Sequence, residues 1–558
     1  FARTKATSIF SVMPFSDAIE SVTNNIDDHW LMLNYRGDPN PRHNIPDAPM
    51  LDFWSSVLLI LGLGVTLARW REGAMIVIPF WLLVMAIPSV VGLPWEIPHS
   101  LRMIGMLPPV IVMVTLGFAT LYKAGWLTPW PAVRISTPIV AGILLLIIAF
   151  HNIDTYFDDQ ANDPIVYASF STDQTLIAED MLVQQAQGYT LFTSRHFLYG
   201  LSLAVAGNYP SYDAINVPSN IPLDPTEIAR GAAIYLEPRD FGVFNLLQTY
   251  YPDGLFQEVR APAGGEILFY AVTLSREYVE HPTGLDAKYI FDNGEVREVR
   301  LKSTQALWPF LFGNEETSFL FEWRGSLHVK EPGAYQLHIE GSPGVEVLLD
   351  NRLVLWDDQR SIRIKPAVGL HYLKVKGRIE DSREFIRLLW QTPDGSMEVI
   401  PVNNLYRNPV NPSGLSGRFW KLPTKEEGLP VLSRITPTMN MFYYEPVPSE
   451  PYVAVWDGWI EISHTGTYGF EVSGPGVVEL TLDGKLLSRS PDILGATALA
   501  DINLEEGTHS IRVKHEAHSP PFQIRIFWSP PGRPFQHIPI EKLSPNSMYM
   551  FSTLPDLK

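Results

Sequence analysis

Apolar residues are concentrated in the first third of this chain, and polar residues dominate the remainder. Four apolar stretches lie between residues 52 and 151. A bilayer core of about 30 Å is crossed by roughly 17–25 helical residues, and lipid accepts such stretches only as helices because every backbone group must then bond internally. The pattern therefore predicts four transmembrane helices, the last at the short limit of length: Leu51–Ala68, Ala74–Gly92, Met103–Tyr122 and Ile135–Phe150.

Basic residues in the short loops predict how these helices are oriented. Arg69 and Arg71 follow the first stretch, and Lys123 and Arg134 follow the third, whereas the loop between the second and third holds one basic residue. Cytoplasmic loops carry the excess of Lys and Arg. We therefore predict a multi-pass protein of the cell membrane. The first fifty residues, the loop between the second and third helices, and everything after the fourth helix are predicted to lie outside the cytoplasm.

The first fifty residues also predict that the chain belongs to a longer product. Phe1–Met50 has no basic n-region followed by an apolar h-region, so it does not resemble a signal peptide. Because this segment is predicted to lie outside, an upstream segment is expected to carry it across the membrane. We expect these residues to be the C-terminal part of a longer polypeptide. The alternative is a numbering that omits a short leader.

Charge and cysteine content exclude several classes of function. The formal net charge is −18, which argues against nucleic acid as a partner because phosphate backbones select basic surfaces. The chain contains no cysteine, which excludes disulfide bonds, thiolate catalysis and cysteine-ligated metals. The predicted external domains must therefore be stabilised by hydrophobic cores of their own.

Residues 153–284 show the mixed pattern of a small external α/β module. A strand is predicted at Ile165–Phe170, followed by a helix that begins at Ser171 or Thr172 and ends near Gln187. The remaining predicted elements are a helix near Phe241–Tyr251 and short strands at Tyr189–Thr193, Ala232–Leu236 and Ile267–Val272.

Residues 285–409 and 414–548 repeat one another. Three motif positions match at a constant offset of 133 residues: Trp323/Trp456, Gly333/Gly466 and Asp350/Asp483. After a small insertion the offset becomes 138, and five further positions match: Gly369/Gly507, His371/His509, Trp390/Trp528, Ile400/Ile538 and Leu405/Leu543. So many matches with one change of length indicate a duplicated domain.

Each copy alternates apolar and polar residues with a period of two, as at Tyr335–Ile339 and Tyr468–Val472. Strands of this kind with turn signals between them are typical of a β-sandwich or barrel. The predicted fold class is a multidomain membrane protein. Its parts are a juxtamembrane segment (1–50), four transmembrane α-helices (51–152), a small external α/β module (153–284) and two tandem β-sandwiches (285–409 and 414–548).

The order of motifs in each copy resembles the protective-antigen-type β-sandwich, a module of many glycan-binding and glycan-processing proteins. The order is W-x-G, G-x-Y, L-D-G or L-D-N, G-x-H, W and then I-P…L. The resemblance implies a β-sandwich that is often a carbohydrate binder, with a pair of neighbouring aspartates that helps to hold Ca²⁺. This sequence has no adjacent aspartate pair before either L-D motif. Asp350 and Asp483 are the candidate carbohydrate-binding residues, and the alternative is that they are turn residues.

Two polar clusters flank the predicted membrane segments, one at residues 37–44 and one at 96–102. One interpretation is interfacial anchoring by snorkelling side chains. The other is an anion site, because Arg supplies a bidentate fork for phosphate oxygens and a Glu and a His can orient that group or move a proton. The candidate lipid-phosphate-binding residues are Arg42, His43, Glu96, His99 and Arg102.

Three segments resemble a family of membrane enzymes. They are R-T-K-A-T-S-I-F-S at Arg3–Ser11, G-D-P-N-P-R-H-N with P-M-L-D at Pro49–Asp52, and E-I-P-H-S-L-R-M-I-G-M-L-P at Glu96–Pro108. They look like the C-terminal membrane half of a bacterial lipid-carrier-dependent glycosyltransferase, in the protein-mannosyltransferase-like branch of the GT-C superfamily. The resemblance implies a polyprenyl-phosphate sugar donor, held by basic residues at the external face.

In that family the catalytic acidic residue lies in the first external loop, near the N-terminus. No segment of this sequence corresponds to that loop, so no catalytic residue is named. We also name no metal ligand, and a divalent cation is the one cofactor left open.

Two functional hypotheses follow from these features. The first is the C-terminal portion of a membrane glycosyltransferase whose external β domains hold a glycan or protein acceptor. The second is a non-catalytic, membrane-anchored structural or interaction subunit, or a membrane-tethered lectin. The expected partners are a lipid-linked sugar donor, a glycan or protein acceptor, the membrane, and an N-terminal membrane half or other membrane subunits.

Overall fold

The computed structural model describes most of the chain. The described residues are 9, 15–93, 97–194, 197, 211–262, 265–308, 318–380, 384–423, 426, 428–439, 441–442, 451–490, 497–517 and 523–555. They form two compact units. The helical unit comprises Phe1–Asp173 and Arg260–Leu268, and the β-rich unit comprises Gln174–Val259 and Phe269–Lys558.

The helical unit is built mainly of α-helices, and the longest connection between them is the 20-residue segment 33–52. They are α1 (Phe15–Met32), α2 (Phe53–Ala68), α3 (Gly73–Val90), α4 (Leu107–Trp126), α5 (Pro131–Asp154) and α6 (Pro164–Ser169). A 3₁₀ helix at Ser100–Met106 leads into α4. A π-helical turn at Thr155–Asp159 continues α5.

Within the described residues, three helical stretches are long and apolar enough to cross a membrane: Gly73–Val90, Ser100–Trp126 and Pro131–Asn162. Helix α2 is apolar but only 16 residues long. The prediction that the last stretch is at the short limit of length was therefore wrong, since the last stretch is the longest and the first is the shortest. Helix α5 begins at Pro131, a residue that fits the first helical turn because its missing N–H would have no intrahelical partner there. Arg134, which we expected in a loop, lies inside the first turn of α5.

Two glycines bring α2 and α4 into close contact. A Cβ atom at Gly62 would collide with the carbonyl group of Met113, and one at Gly117 would collide with the carbonyl oxygen of Leu58. Small residues permit this kind of close backbone approach between apolar helices. Packing of α2 against α4 therefore depends on the absence of a side chain at both positions.

The segment at 165–170 corrects a prediction. We expected a strand there, but Pro164–Ser169 is helix α6. The carboxylate of Asp163 accepts hydrogen bonds from the backbone N–H groups of Ile165 and Val166, each at 2.9 Å. An Asp cap followed by Pro at the first helical position is a helix start signal. Here it outweighed the β-branched residues that follow.

The β-rich unit begins with a five-stranded sheet of order β2-β1-β3-β5-β4. Its strands are β1 (Thr190–Thr193), β2 (Tyr212–Ala214), β3 (Gly231–Leu236), β4 (Leu255–Arg260) and β5 (Ile267–Ser275). Strand β1 pairs in parallel with β2 and β3, and every residue of β3 is buried. The helices in this part of the sequence are α7 (Thr172–Ala186), α8 (Phe241–Tyr250) and α9 (Arg276–Glu280). The predicted helices and the other predicted strands of this region are present, with ends that differ by a few residues.

The first copy of the repeat follows in two sheets. Its strands are β6 (Leu285–Phe291), β7 (Val296–Leu301), β8 (Gln305–Leu307), β9 (Phe319–Val329), β10 (Tyr335–Gly341), β11 (Val345–Leu349), β12 (Arg352–Leu355), β13 (Ser361–Pro366), β14 (Gly369–Ile379), β15 (Phe385–Gln391), β16 (Glu398–Val399) and β17 (Leu405–Tyr406). One sheet has the order β12-β11-β14-β9-β6-β7, and side chains from both sheets share one core that contains Trp323 and Trp390.

The second copy has the same strand order. Its strands are β18 (Leu415–Lys421), β19 (Leu432–Thr436), β20 (Met441–Phe442), β21 (Tyr452–Ile462), β22 (Gly466–Ser473), β23 (Val477–Leu482), β24 (Lys485–Arg489), β25 (Thr497–Leu504), β26 (Gly507–Ala517), β27 (Gln523–Ser529), β28 (Gln536–His537) and β29 (Leu543–Pro545). Its larger sheet runs β24-β23-β26-β21-β18-β19, which matches the first copy strand for strand.

The last strand of the chain belongs to the first copy. Strand β30 (Phe551–Leu554) pairs antiparallel with β13 and forms the edge of the sheet β16-β15-β10-β13-β30. Phe551 is buried in the first core, and the backbone N–H of Ala367 donates to the carbonyl of Met550. The chain therefore returns across the whole second copy to complete the first.

Candidate functional site

Several chain segments meet at one end of the helices of the helical unit. The backbone N–H of His99, ahead of α4, donates to the hydroxyl of Ser89 near the end of α3 at 3.1 Å. The carboxylate of Asp52 caps α2 and also accepts from the side-chain amide of Asn152, near the end of α5, at 3.0 Å. The starts of α2 and α4 therefore lie with the ends of α3 and α5. This end carries the polar segments that the sequence analysis singled out.

Asp38 is the centre of the hydrogen bonding at this end. Its Oδ2 accepts from Nδ1 of His43 (2.9 Å) and from both the N–H and the hydroxyl of Ser100 (2.7 Å each), and its Oδ1 accepts from the N–H of Asn40 (2.8 Å). The residue is 1% exposed. Burial alone would raise the pKa of Asp38, but the hydrogen bonds from Ser100, Asn40 and His43 outweigh burial and hold the pKa below its ordinary value. A buried carboxylate therefore stays charged at this site.

Two of the predicted residues come together beside this carboxylate. The imidazole rings of His43 and His99 have centroids 4.8 Å apart. Asp38, His43 and His99 each offer one ligand atom, and these atoms lie within 4.8 Å of one another. Within the part of the chain that the structure describes, this is the group of His and carboxylate side chains that could hold a metal ion.

The two predicted arginines make different contacts. The exposed Arg42 donates its Nε–H to the carbonyl of Ser169 at 2.7 Å. Arg102 is half-buried in the 3₁₀ helix, and its guanidinium lies against Gly92, where a Cβ atom would be 2.5 Å from the nearer terminal nitrogen. Glu96 lies outside the described residues.

Sequence reasoning missed Asp38 and Ser100, the two residues that join the clusters. Both stand inside the quoted motifs, but they are 62 positions apart. Only the folded chain shows that the first cluster binds the second through them. A signal was present in the Asp-x-Asn pattern, since a carboxylate that accepts from a backbone N–H two residues later is a common turn former.

Ser100 is also one of the residues that line an apolar cleft. The cleft has a volume of about 220 Å³, and four of its lining residues are methionines: Met32, Met50, Met103 and Met106. Methionine side chains are unbranched and adapt their shape to irregular apolar partners. The cleft therefore joins the charged site to a surface suited to a flexible hydrocarbon chain.

The carbohydrate candidates Asp350 and Asp483 occupy equivalent hydrogen-bonded turns. In the first copy, the Asp350 carboxylate bonds Nδ1 of His371 (2.7 Å) and the N–H of Tyr372 (2.9 Å). In the second copy, Asp483 bonds Nδ1 of His509 (2.6 Å) and the next N–H in the same way (2.9 Å). Both aspartates have positive φ angles, of 51° and 47°. Each carboxylate thus holds its turn against the neighbouring strand by hydrogen bonds. The Asp350–His371 pair is buried, and the Asp483–His509 pair is partly exposed.

These two pairs predict a dependence of stability on pH. Burial alone would lower the pKa of His371, but the charge and hydrogen bond of Asp350 raise it above its ordinary value, and the pKa of His509 is raised beside Asp483. A histidine with a raised pKa stabilises the fold fully below about pH 6.5, and this contribution is lost as the pH rises through the folded value. We expect the free energy of unfolding to fall above pH 6.5, by at most about 1.4 kcal/mol per pH unit for each histidine. The more exposed His509 pair should contribute less.

Denaturant unfolding of the full chain in detergent, repeated between pH 6 and pH 9, measures this slope. Asp350→Asn removes the charge that raises the pKa of His371, and the variant should lose most of the slope. Asp358→Asn, at an exposed position eight residues along the chain, serves as the matched control. An unchanged slope in Asp350→Asn would show that another group titrates.

The β-rich unit has a second cleft, with a volume of about 760 Å³, between α8 and the end of the second copy. The rings of Phe241 and Phe527 lie 4.7 and 4.8 Å from that of His537. Phe535 and several amide, hydroxyl and carboxylate side chains complete the lining: Asn245, Gln248, Thr249, Gln536 and Glu541. Burial lowers the pKa of His537 to about 4, so this ring is neutral near pH 7. Aromatic faces beside planar polar groups are a common lining of small-molecule sites.

Comparisons with known proteins give weak likenesses. No family model and no curated protein matches the chain. Among solved structures, an anti-sigma factor domain-containing protein from Clostridium clariflavum is 20% identical over 47% of this chain and 100% of its own, with a TM-score of 0.21. A PA14 sugar-binding domain from an RTX adhesin is 15% identical over 24% of this chain and 100% of its own, with a TM-score of 0.21.

The transport component C2-II of the C2-toxin from Clostridium botulinum is also similar. It is 20% identical over 24% of this chain and 27% of its own, with a TM-score of 0.19. TM-scores near 0.2 decide nothing about function. What the chain shows by itself is a multidomain protein with three helical stretches able to cross a membrane and a β-rich C-terminal region.

Proposed function

We propose that this chain contributes the lipid-phosphate-binding face of a membrane glycosyltransferase that uses a polyprenyl-phosphate-linked sugar. In this proposal, the helical end that carries Asp38, His43 and His99 faces the outside of the cell membrane, and the β-rich unit holds a glycan or protein acceptor. The observation that carries the proposal is the charged cluster at the end of apolar helices, directly beside the methionine-lined cleft.

Electrostatics supports a phosphate at this position. Basic groups at the edge of a low-dielectric region attract an anion more strongly than they would in bulk water. Arg42 and Arg102 can each present two N–H groups to phosphate oxygens. The hydrocarbon tail of the same molecule would enter the methionine-lined cleft, which Ser100 also lines. Headgroup and tail would then be bound by adjoining parts of one surface.

We expect Arg102→Gln to weaken donor binding. The substitution keeps approximate size and polarity but removes the charge and the fork. Loss of one charged hydrogen-bonding contact corresponds to about 1.5–3 kcal/mol, or roughly a 10- to 150-fold weaker affinity. Binding of a polyprenyl-phosphate sugar to the full-length protein in detergent measures the change.

Arg134→Gln is the matched control for this experiment. Arg134 lies in the first turn of α5, at the opposite end of the helices, and its guanidinium stacks 5.2 Å from the ring of Trp126. Its substitution should leave donor affinity at the wild-type level. If Arg102→Gln, His99→Ala and Arg42→Gln all bind the donor like the wild type, only membrane anchoring remains for these residues.

The aromatic cleft of the β-rich unit supports a second candidate function. A membrane-anchored interaction subunit or lectin would use this cleft to bind glycan without any transfer reaction. Phe535 is 43% exposed at the rim, so Phe535→Ala can remove a stacking face with little effect on the core. The lectin would be favoured over the enzyme by two results together: Phe535→Ala loses glycan binding, and Arg102→Gln leaves donor binding unchanged.

A further inference from the structure

The side chains of Asp38, His43 and His99 lie in an arrangement that a phosphate site alone does not require. Two imidazoles and one carboxylate come from two segments that are more than fifty residues apart, and their ligand atoms lie within 4.8 Å of one another. The contact between His43 Nδ1 and Asp38 Oδ2 is 2.9 Å. Neighbouring ligands of a tetrahedral ion with bonds of about 2.0–2.1 Å are about 3.3 Å apart. The His43 and Asp38 atoms are thus close to the spacing of two ligands of one ion, and the His99 ligand atom lies within 4.8 Å of both.

We propose that Asp38, His43 and His99 bind one divalent transition-metal ion of the Zn²⁺ class. Two imidazole nitrogens and one carboxylate oxygen form a donor set that suits zinc and its neighbours rather than Ca²⁺ or Mg²⁺, which prefer oxygen ligands alone. Three protein ligands leave a fourth position open, as in metal sites that bind a water molecule or a substrate. Nothing in this assignment requires glycosyl transfer.

The surroundings of Asp38 are those of a positioned ligand. Ser100 donates two hydrogen bonds to the carboxylate and Asn40 donates one, so the group is fixed from two sides. Hydrogen bonds of this kind orient metal ligands and tune their basicity. The backbone of His99 is itself held by the hydroxyl of Ser89. Both halves of the site are therefore anchored by contacts that do not use the ligand atoms of the histidines.

Charge also favours a cation at this point. The Asp38 carboxylate is 1% exposed, and it accepts hydrogen bonds from Ser100, Asn40 and the His43 ring but contacts no lysine or arginine among the residues that the structure describes. Taking a charge out of water is unfavourable unless it is paired or coordinates a metal. A divalent ion between the carboxylate and the two imidazoles would supply that pairing and leave a net positive charge at the mouth of the site.

The open position gives the ion a role toward phosphate, and this step rests on the proposed function. A phosphate oxygen of the lipid donor would become the fourth ligand, while Arg42 and Arg102 bind the remaining oxygens. The ion would then act as a Lewis acid toward the phosphate.

Metal analysis of the full-length protein in detergent tests the site. We expect about one zinc per chain after dialysis against buffer with micromolar Zn²⁺, and less than a tenth of that in His43→Gln and His99→Gln. His464→Gln changes an exposed histidine of the β-rich unit and should retain the metal. A wild-type protein that holds no more zinc than His99→Gln would overturn the assignment.

Cobalt gives a readout that needs no variant. Co²⁺ in a site with two nitrogens and one oxygen should show visible absorption bands of four- or five-coordinate geometry, whereas Co²⁺ bound only by water would leave the weak octahedral spectrum. The test therefore does not depend on whether His43→Gln and His99→Gln fold, because the wild-type spectrum alone can contradict the proposal.

Added methyl phosphate separates the metal site from the proposed function. If the phosphate is a ligand, the cobalt bands should shift and the shift should saturate. If cobalt binds but its spectrum does not change with phosphate, the metal site is supported and its role in donor binding is rejected. Absence of bound cobalt would reject the metal site and leave the arginine contacts to be judged by donor affinity.

Discussion

Deleting residues 551–558 is expected to open the first copy of the repeat while the second copy stays folded. The deletion removes β30, which pairs with β13, and it removes Phe551 from the first core. The guanidinium of Arg352 lies 4.1 Å from the centre of the Phe551 ring and donates to its carbonyl. Truncating a buried phenylalanine costs about 3–5 kcal/mol, so loss of the whole strand should cost more than that.

Limited proteolysis of the full chain, read by mass spectrometry, locates the effect. New cleavage sites should appear between residues 285 and 406, and the region from 415 to 545 should remain protected. Phe551→Ala should show the same pattern more weakly. Met548→Ala, at a position 72% exposed and three residues away, should behave like the wild type. Equal protection of the first copy in the deletion variant would mean that β30 adds nothing to it.

Substitution of Trp390 or Trp528 by Ala is expected to lower the free energy of unfolding by about 3–5 kcal/mol. The two residues are 3% and 4% exposed, and each ring lies 5.5 Å from a tyrosine ring of its own copy, Tyr335 or Tyr468. The repeat alignment pairs these two tryptophans, and each lies in the core of its own copy. Denaturant unfolding followed by fluorescence measures the loss.

The indole nitrogens provide a control for this prediction. Among the residues that the structure describes, neither Nε1 atom has a hydrogen-bond partner. Replacement by Phe therefore removes no hydrogen bond and keeps most of the apolar volume, so it should cost much less than Ala. Trp459→Ala, at a position 40% exposed, should be nearly neutral. A loss in Trp459→Ala as large as in the core variants would indicate that exposure does not govern the effect.

The parts of the fold that could be predicted are those set by local pattern or by exact repetition. Apolar runs located the helices, and the matching of Trp323 with Trp456 aligned two copies that share one strand order. Length was misjudged for α5 because Arg134 was taken as the end of a loop, although one charge in a first helical turn is easily tolerated at a membrane boundary. The prediction of a strand at α6 was wrong because the helix start signal of Asp163 and Pro164 outweighed the β-branched residues that follow.

Several residues of the candidate site were predicted from the sequence, but the hydrogen bonds that join them were not. His43 and His99 were both named, and the structure brings their rings together. Their link, the bond from Ser100 to Asp38, joins residues far apart in sequence, and no periodicity reports such a contact. The pairing of β30 with the first copy was not predicted for the same reason. A strand of four residues carries no signal of which sheet it will join.

The position of β30 also determines when the first copy can finish folding during translation. Everything from the end of β17 to the start of β30 must be translated before the first copy can close, which at about 5–20 residues per second takes roughly 7–30 s. Throughout that interval β13 is an open sheet edge, the kind of surface on which foreign strands add. A nascent chain released at any point before residue 551 would therefore carry an unfinished edge even with the whole second copy made. The domain that is translated first would therefore be the second of the two to close.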